Sequence, residues 1–284
     1  MLPYKAVAGL TRMTISTKKA FIKMQGPPRN DHIQEWRDEL FNALAFLTRL
    51  PVRSNEEWGT GTLSRALRMS PAVGAFVGAL AGSFYWLGVS FGFSTFIAAL
   101  LAIAASAVLT GGLHEDALSD MADGISGGWT RDRKLEIMSD GRIGAHGALT
   151  LMLALLLRVG AMAQLGSPDR VMTALIAAGA LSRALMYLAM AALPHAKEAG
   201  LARSAGRPTM RDAAISMGIS FVICWLALPL GTALAALIAA GAGGLLTARI
   251  ASSQIGGQTG DILGSIQQIS ELCAMLLLAA LLTL

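Results

Sequence analysis

Residues 94–124 read STFIAALLAIAASAVLTGGLHEDALSDMADG. The first part, residues 94–111, holds no charged side chain, and the second places Glu115, Asp116, Asp120 and Asp123 directly behind it. An apolar run next to a cluster of acids suits a helix that crosses hydrocarbon and delivers carboxylates at the membrane surface. About 30 Å of hydrocarbon takes roughly 20 helical residues.

Similar runs recur outward from this one. Residues 69–91, 148–166, 171–193, 212–228 and 231–248 read as further spans, with a shorter apolar run from about 272 onward. Residues 41–50 are too short to cross and read as interfacial or re-entrant. The chain is 54% hydrophobic and 14% charged, against about a quarter charged in soluble domains. Its mean hydropathy is +0.56. The expectation is an all-α polytopic integral membrane protein with about 6–8 membrane helices and a cytoplasmic-facing Asp-rich site.

The formal net charge of +5 does not indicate nucleic acid, because the basic residues are segregated. Nearly half of the 23 Lys and Arg precede residue 69, and most others fall in 131–142 and 197–211. Of the turns on the opposite side, only 167–170 carries one, Arg170. This is the positive-inside pattern, and it predicts a multi-pass protein of a bacterial inner membrane with a cytoplasmic N-terminus. Residues 1–37 are expected to form a basic cytoplasmic extension without a signal-peptide run, either touching anionic lipid through Lys18, Lys19 and Lys23 or forming a disordered basic tail. Residues 38–284 are expected to form one membrane-embedded domain. Cys224 and Cys273 lie in apolar runs without ligand spacing and read as small core hydrophobes.

If residues 113–123 are helical, Asp116, Asp120 and Asp123 stand at i, i+4 and i+7, within roughly 60° of arc. Three like charges on one face destabilise a helix unless a cation neutralises them. A solvated acidic face would be the ordinary reading in a soluble protein. Here the acids are flanked by membrane spans and drawn from only 18 in the chain, which favours a hard, oxygen-liganded ion, Mg²⁺ or Mn²⁺. His114 points away from Asp116 and reads as a substrate or hydrogen-bonding residue.

Thr130 is suited to cap a second helix over 131–140. That helix would carry Glu136 and Asp140 beside Arg131, Arg133, Lys134 and Arg142. Such mixed acids and bases suit phosphoryl chemistry, in which cations neutralise charge on phosphate oxygens. Arg158 and Arg183 fall near the middle of spans, where arginines face a cavity or a carboxylate. A turn around Gln258 delivers Asp261, a candidate ligand or general base. His195, Lys197, Glu198, Arg203, Arg207 and Arg211 could contact a nucleotide, but a positive-inside loop is the simpler reading.

The run Gly111-Gly-Leu-His-Glu-Asp-Ala-Leu-Ser-Asp-Met-Ala-Asp-Gly124, then Lys134-Leu-Glu-Ile-Met-Ser-Asp-Gly-Arg-Ile-Gly144, then Gly257-Gln-Thr-Gly-Asp-Ile-Leu-Gly264 resembles the cobalamin synthase family, the adenosylcobinamide-GDP ribazoletransferases. Phe46–Val52 and Pro194–Leu201 add to the likeness, which runs from about residue 38 to the end. The resemblance implies a Mg²⁺-dependent transferase in vitamin B12 biosynthesis. Such an enzyme joins adenosylcobinamide-GDP to α-ribazole or its 5′-phosphate and releases GMP. Its implied metal ligands are Asp116, Asp120 and Asp123, and its catalytic residues Asp140, Asp261 and Arg142. His114, Arg131, Arg133, Lys134, Arg158, Arg183 and Gln258 would bind substrate.

The chain departs from the usual motif at Glu115, Ala117, Gly141, Ala199 and Ala202. The expected partners are the two substrates and membrane lipid, with no nucleic acid. Self-association and association with other cobalamin-assembly enzymes both stay open. Two rivals are a CDP-alcohol phosphotransferase, whose motif would place Ala-Arg two residues after Asp123-Gly124, and a cation-coupled transporter.

Overall fold

The computed structural model describes residues 32–52, 61–198 and 200–283. Most of the expected N-terminal extension, with Lys18, Lys19 and Lys23, lies outside these, as does Ala199. Residues Asp38–Leu284 form one compact unit.

Every regular element among the described residues is a helix. In order they are α1 (His32–Leu47), α2 (Thr62–Ala66), a 3-10 turn (Leu67–Met69), α3 (Ser70–Ser90), α4 (Thr95–Thr110), α5 (Leu113–Gly127), α6 (Arg131–Ile137), α7 (Ala145–Leu165), α8 (Pro168–Ala192), α9 (Leu201–Ala205), α10 (Met210–Ala227), α11 (Leu230–Ile255) and α12 (Gly260–Leu281). Among the described residues six helical stretches are long and apolar enough to cross a membrane: Thr62–Ser90, α7, α8, α10, α11 and α12. A seventh is added if α4 and α5, bent by 91° at Gly111–Gly112, count as one broken span. At 16 residues α4 is shorter than the crossing helix expected over 94–111, and α5, with its acids, turns away from it.

That bend is set by two consecutive glycines, Gly111 (φ 69°) and Gly112 (φ 70°). Left-handed backbone at successive positions is costly for any residue with a Cβ. The helix ends therefore follow local chemistry. The hydroxyls of Ser94, Thr130, Thr209 and Thr259 accept backbone N–H groups of the first turns of α4, α6, α10 and α12.

The bundle is arranged around two inner helices, with 83% of the α8 window and 72% of the α12 window buried, against 22–33% for α7, α10 and α11. The outer helices turn Phe84, Trp86, Leu156, Trp225, Leu226 and Ile238 outward, the surface that hydrocarbon would cover. Against α8 lies α3, through Gly74 and Gly78. A Cβ on Gly74 would collide with the Gly179 carbonyl, and one on Gly78 with the Leu175 carbonyl. With lipid as solvent, helix association rests on such close packing of small residues.

The last span differs from its sequence expectation. It is not a short run from 272 but a 22-residue helix starting at Gly260. Its first half carries Ser265, Gln267, Gln268, Ser270 and Glu271, all buried against neighbouring helices. These polar side chains interrupt the apolar run but face protein and not lipid, and the helix keeps a mean hydropathy of 1.6, level with α8. The span expected over 231–248 likewise continues to Ile255. At the other end of the chain, α1 terminates at Leu47, which packs with Ala43 into the core beside Leu63 and Tyr187.

Gly78→Val is expected to lower stability by about 1–3 kcal/mol through overpacking at the α3–α8 contact. Gly160→Ala, where an added Cβ meets nothing within 4 Å, serves as the control and should match or exceed the parent. Thermal unfolding of both variants in detergent measures the difference.

Candidate active site

The acid-rich stretch forms helix α5, which meets the condition for its three aspartates to share a face, but they have different surroundings. Asp116 is exposed, Asp120 half-buried and Asp123 buried. Both oxygens of Asp123 are engaged by the start of α7: Gly144 N donates to Oδ2 (2.6 Å) and Gly147 N to Oδ1 (2.8 Å). This carboxylate caps a 21-residue helix and satisfies two of its otherwise unpaired N–H groups. On its other side α5 lies against α12, where Ser265 Oγ donates to the Ala117 carbonyl (3.0 Å). A Cβ on Gly264 would strike Ala117.

The carboxyl of Asp120 is pushed up to about 6. Burial contributes most, followed by the charges of Asp116, Asp261 and Asp123, while Lys197 acts in the opposite sense. The acids thus form one electrostatic cluster, drawn from α5 and from the first turn of α12. Asp261 accepts there from Thr259 Oγ1 (3.2 Å). Among the described residues no three of His, Cys, Asp and Glu are placed to hold a metal ion by themselves. The donors present are carboxylate oxygens, which fit a hard ion that completes its shell with water and substrate phosphate.

Two loops close over this end of the bundle and are stitched together. Ala196 N donates to the Gln258 carbonyl (2.9 Å) and Gln258 N to the Pro194 carbonyl (2.8 Å), forming a parallel bridge. Any side chain on Gly257 would run into the Pro194 carbonyl. Arg131 ties α6 to the same pair of loops, with Nε donating to the Ile255 carbonyl (2.9 Å) and Nη2 to the Ala196 carbonyl (2.5 Å). Lys197 Nζ donates to Ser139 Oγ (2.5 Å). The basic segments 131–142 and 197–211 are thereby gathered at one end.

Two cavities open there. One, of about 330 Å³, is lined by Asp116, His114, Ser139, His195, Lys197, Arg203 and Asp261 among others. The second, of about 740 Å³, is lined by Arg49, Gly111, Gly112, Asp116, Ser119 and Asp120 among others. Phe46, Leu113 and Asp116 belong to both. Asp116 therefore stands in a shared wall.

Below the first cavity lies a buried charge network. Arg158 Nη2 donates to Glu271 Oε1 (2.5 Å), and its Nη1 to Glu115 Oε1 (3.4 Å) and Gln268 Oε1 (3.2 Å). Arg183 Nη1 lies 3.5 Å from Glu271 Oε2. Gln268 Nε2 donates to Glu115 Oε1 (3.1 Å). Two guanidinium groups and two carboxylates balance one another here. The mid-span arginines are thus spent on Glu271 and Glu115 and not on the Asp cluster.

The expected site residues divide into two groups. Asp116, Asp261, His114 and Gln258 line the smaller cavity, and Asp116 and Asp120 the larger. Gln258 is also structural, its Nε2 donating to the carbonyls of Met190 and Leu193 (2.8 and 2.9 Å). Asp140 and Arg142 pair with each other at the exposed surface (2.6 Å), and the hydrogen bond from Arg142 holds the Asp140 carboxyl below its usual range. Neither lines a cavity described above. Arg133 pairs with Glu136 (2.7 Å), and Lys134 Nζ is bonded to Gln254.

The cations facing the cavities are instead Lys197, Arg203 and Arg49. Sequence reading assigned the first two to a charged loop and left the third, within the Phe46–Val52 motif, without a role. No periodicity marks them, because loop closure brings them in.

A helical membrane protein with acids and cations gathered around two adjoining cavities at one end of the bundle has the makings of an enzyme acting on phosphate-bearing substrates. The family is settled by comparison. A family model described as cobalamin-5-phosphate synthase matches residues 39–279, and the chain belongs to that family. It is 42% identical to the adenosylcobinamide-GDP ribazoletransferase of Bradyrhizobium diazoefficiens over 253 residues, covering 89% of this chain and 97% of the relative. It is 41% identical to that of Mesorhizobium japonicum, over 84% of this chain and 92% of the relative. The protein of the same name from Shewanella amazonensis is 39% identical, over 84% and 94%. No solved structure matches.

Glu271→Leu is expected to leave Arg158 and Arg183 short of a counter-charge, at a cost of about 3–5 kcal/mol, seen as failure to accumulate or a large fall in melting temperature. Asp123→Asn, which replaces an acceptor by a partial donor at the α7 cap, should cost about 0.5–2 kcal/mol. Asp116→Asn should leave the melting temperature unchanged.

Proposed function

We propose that the chain is an adenosylcobinamide-GDP ribazoletransferase that joins adenosylcobinamide-GDP to α-ribazole or its 5′-phosphate and releases GMP, late in vitamin B12 biosynthesis. One observation carries the chemical reading: Asp116 stands between two cavities, each with its own cation. A two-substrate displacement at phosphorus needs that arrangement. Donor and acceptor approach one reacting centre from opposite sides, and charge on the phosphate oxygens is neutralised.

In this reading the donor diphosphate occupies the smaller cavity, where Lys197 and Arg203 neutralise its oxygens and Ser139 holds Lys197 in place. The acceptor enters through the larger cavity. Its ribose 3′-hydroxyl attacks the cobinamide-side phosphorus, a new O–P bond forms, and the P–O bond to GMP breaks with the electron pair leaving on GMP. The hydroxyl proton passes to Asp261, the member of the pair Asp140 and Asp261 that lines a cavity. Mg²⁺ would be held by Asp116 and Asp120 with phosphate oxygens, and when bound it supplies Lewis-acid charge withdrawal. Asp123 acts as the brace that fixes the other two through the start of α7.

The basic segments and the site are assigned to the cytoplasmic side of the bacterial inner membrane, with residues 1–37 as a basic extension on that side. The clustering of the basic segments around the cavities supports this.

Release of GMP from adenosylcobinamide-GDP, measured in membranes with excess Mg²⁺, should require both α-ribazole and the divalent ion. Asp116→Asn and Asp120→Asn should each lower kcat by roughly 10²-fold or more, and Asp261→Asn by roughly 10²–10⁴-fold. Asp140→Asn should lose less than Asp261→Asn. Near-normal rates in the first three variants would sink the assignment.

A further inference from the structure

The reaction as derived above assigns no particular group of the acceptor to Arg49, the cation of the larger cavity. Arg49 lines it and is exposed, and among the described residues its guanidinium makes no hydrogen bond or ion pair. The other charged side chains lining the cavity, Asp116 and Asp120, are acids. An arginine in the same cavity as two carboxylates ordinarily swings over to pair with one of them.

Here it is held in place by its backbone and by the shape of the turn beneath it. Arg49 N donates to the Leu109 carbonyl (2.7 Å) at the end of α4. The side chain lies over Gly111, where an added Cβ would collide with Arg49 Nε. The left-handed backbone at Gly111 (φ 69°) and the seat for Arg49 thus call for the same residue. Ser119, buried and lining the same cavity, has a hydroxyl without a hydrogen-bond partner among the described residues.

We infer that the larger cavity contains a phosphate subsite in which Arg49 binds the 5′-phosphate of the acceptor, α-ribazole 5′-phosphate, while Asp116 faces the reacting hydroxyl. The inference rests on the proposed transferase reading. A guanidinium matches a terminal phosphate because its planar fork donates two parallel hydrogen bonds. The donor's diphosphate has its own cations, Lys197 and Arg203, on the far side of Asp116. Arg49 is therefore a specificity residue that distinguishes a phosphorylated acceptor from free α-ribazole.

The test compares the two acceptors in the full-length protein. In Arg49→Ala, KM for α-ribazole 5′-phosphate should rise at least 10-fold, with a much smaller rise for free α-ribazole and no change in KM for adenosylcobinamide-GDP. Arg49→Lys, which keeps the charge but loses the fork, should fall between. The melting temperature of Arg49→Ala should match the parent, since the side chain holds no bond to lose among the described residues. Gly111→Ala, which displaces Arg49, should reproduce the acceptor discrimination.

A rise in KM for the donor with equal losses on both acceptors would assign Arg49 to the donor diphosphate and overturn the inference. So would unchanged kinetics on every substrate. If the parent protein released GMP with neither acceptor, the transferase reading itself would fall; if it used both and Arg49→Ala treated them alike, only the subsite would fall.

Discussion

A carboxylate in the apolar interior of the bundle, Glu271, holds the site in place. It sits on α12 between Arg158 of α7 and Arg183 of α8, so three helices meet at one charge. Ions removed from water must be compensated locally, and removal of one partner leaves the others stranded. Glu115 of α5 joins the same network through Arg158 and Gln268. The helix that carries the aspartates is thereby anchored to the interior at its first turn, while Asp123 fastens it to α7 farther along. Between these two fixtures lie Asp116 and Asp120.

Much of this was legible in the sequence. Apolar runs gave most of the spans, the i, i+4, i+7 spacing put the aspartates on one face once α5 is helical, and Thr130 caps the helix expected after it, which ends at Ile137 and not at residue 140. The reading by apolar runs started α12 too late, because Gln267, Gln268 and Glu271 interrupt the run although they lie at the centre of the fold. Gly74 and Gly78 were equally visible, but their role depends on which helix they meet, and the helical period alone does not supply that.

The site was read less completely than the fold, for a related reason. Asp116 and Asp261 are far apart in sequence yet line one cavity, and each lay in a motif that drew attention. Charge alone did not separate cations that face a cavity from cations that fasten the scaffold. Arg131, Arg158 and Arg183 make protein contacts, while Lys197 and Arg203, which looked like ordinary loop charges, face the smaller cavity. Glu115, an unusual residue for its motif, has a definite partner in Arg158.

The parallel bridge between His195 and Gln258 has a consequence for how such a chain can vary. The two strands of that bridge belong to connections after α8 and after α11, and Arg131 grips both. A change in length in one connection would shift the register of the other and pull α6 with it. Variation at this end of the bundle is therefore expected to be concerted, with the loops inherited as a matched set, while the lipid-facing surfaces of α10 and α11 remain free to drift one residue at a time.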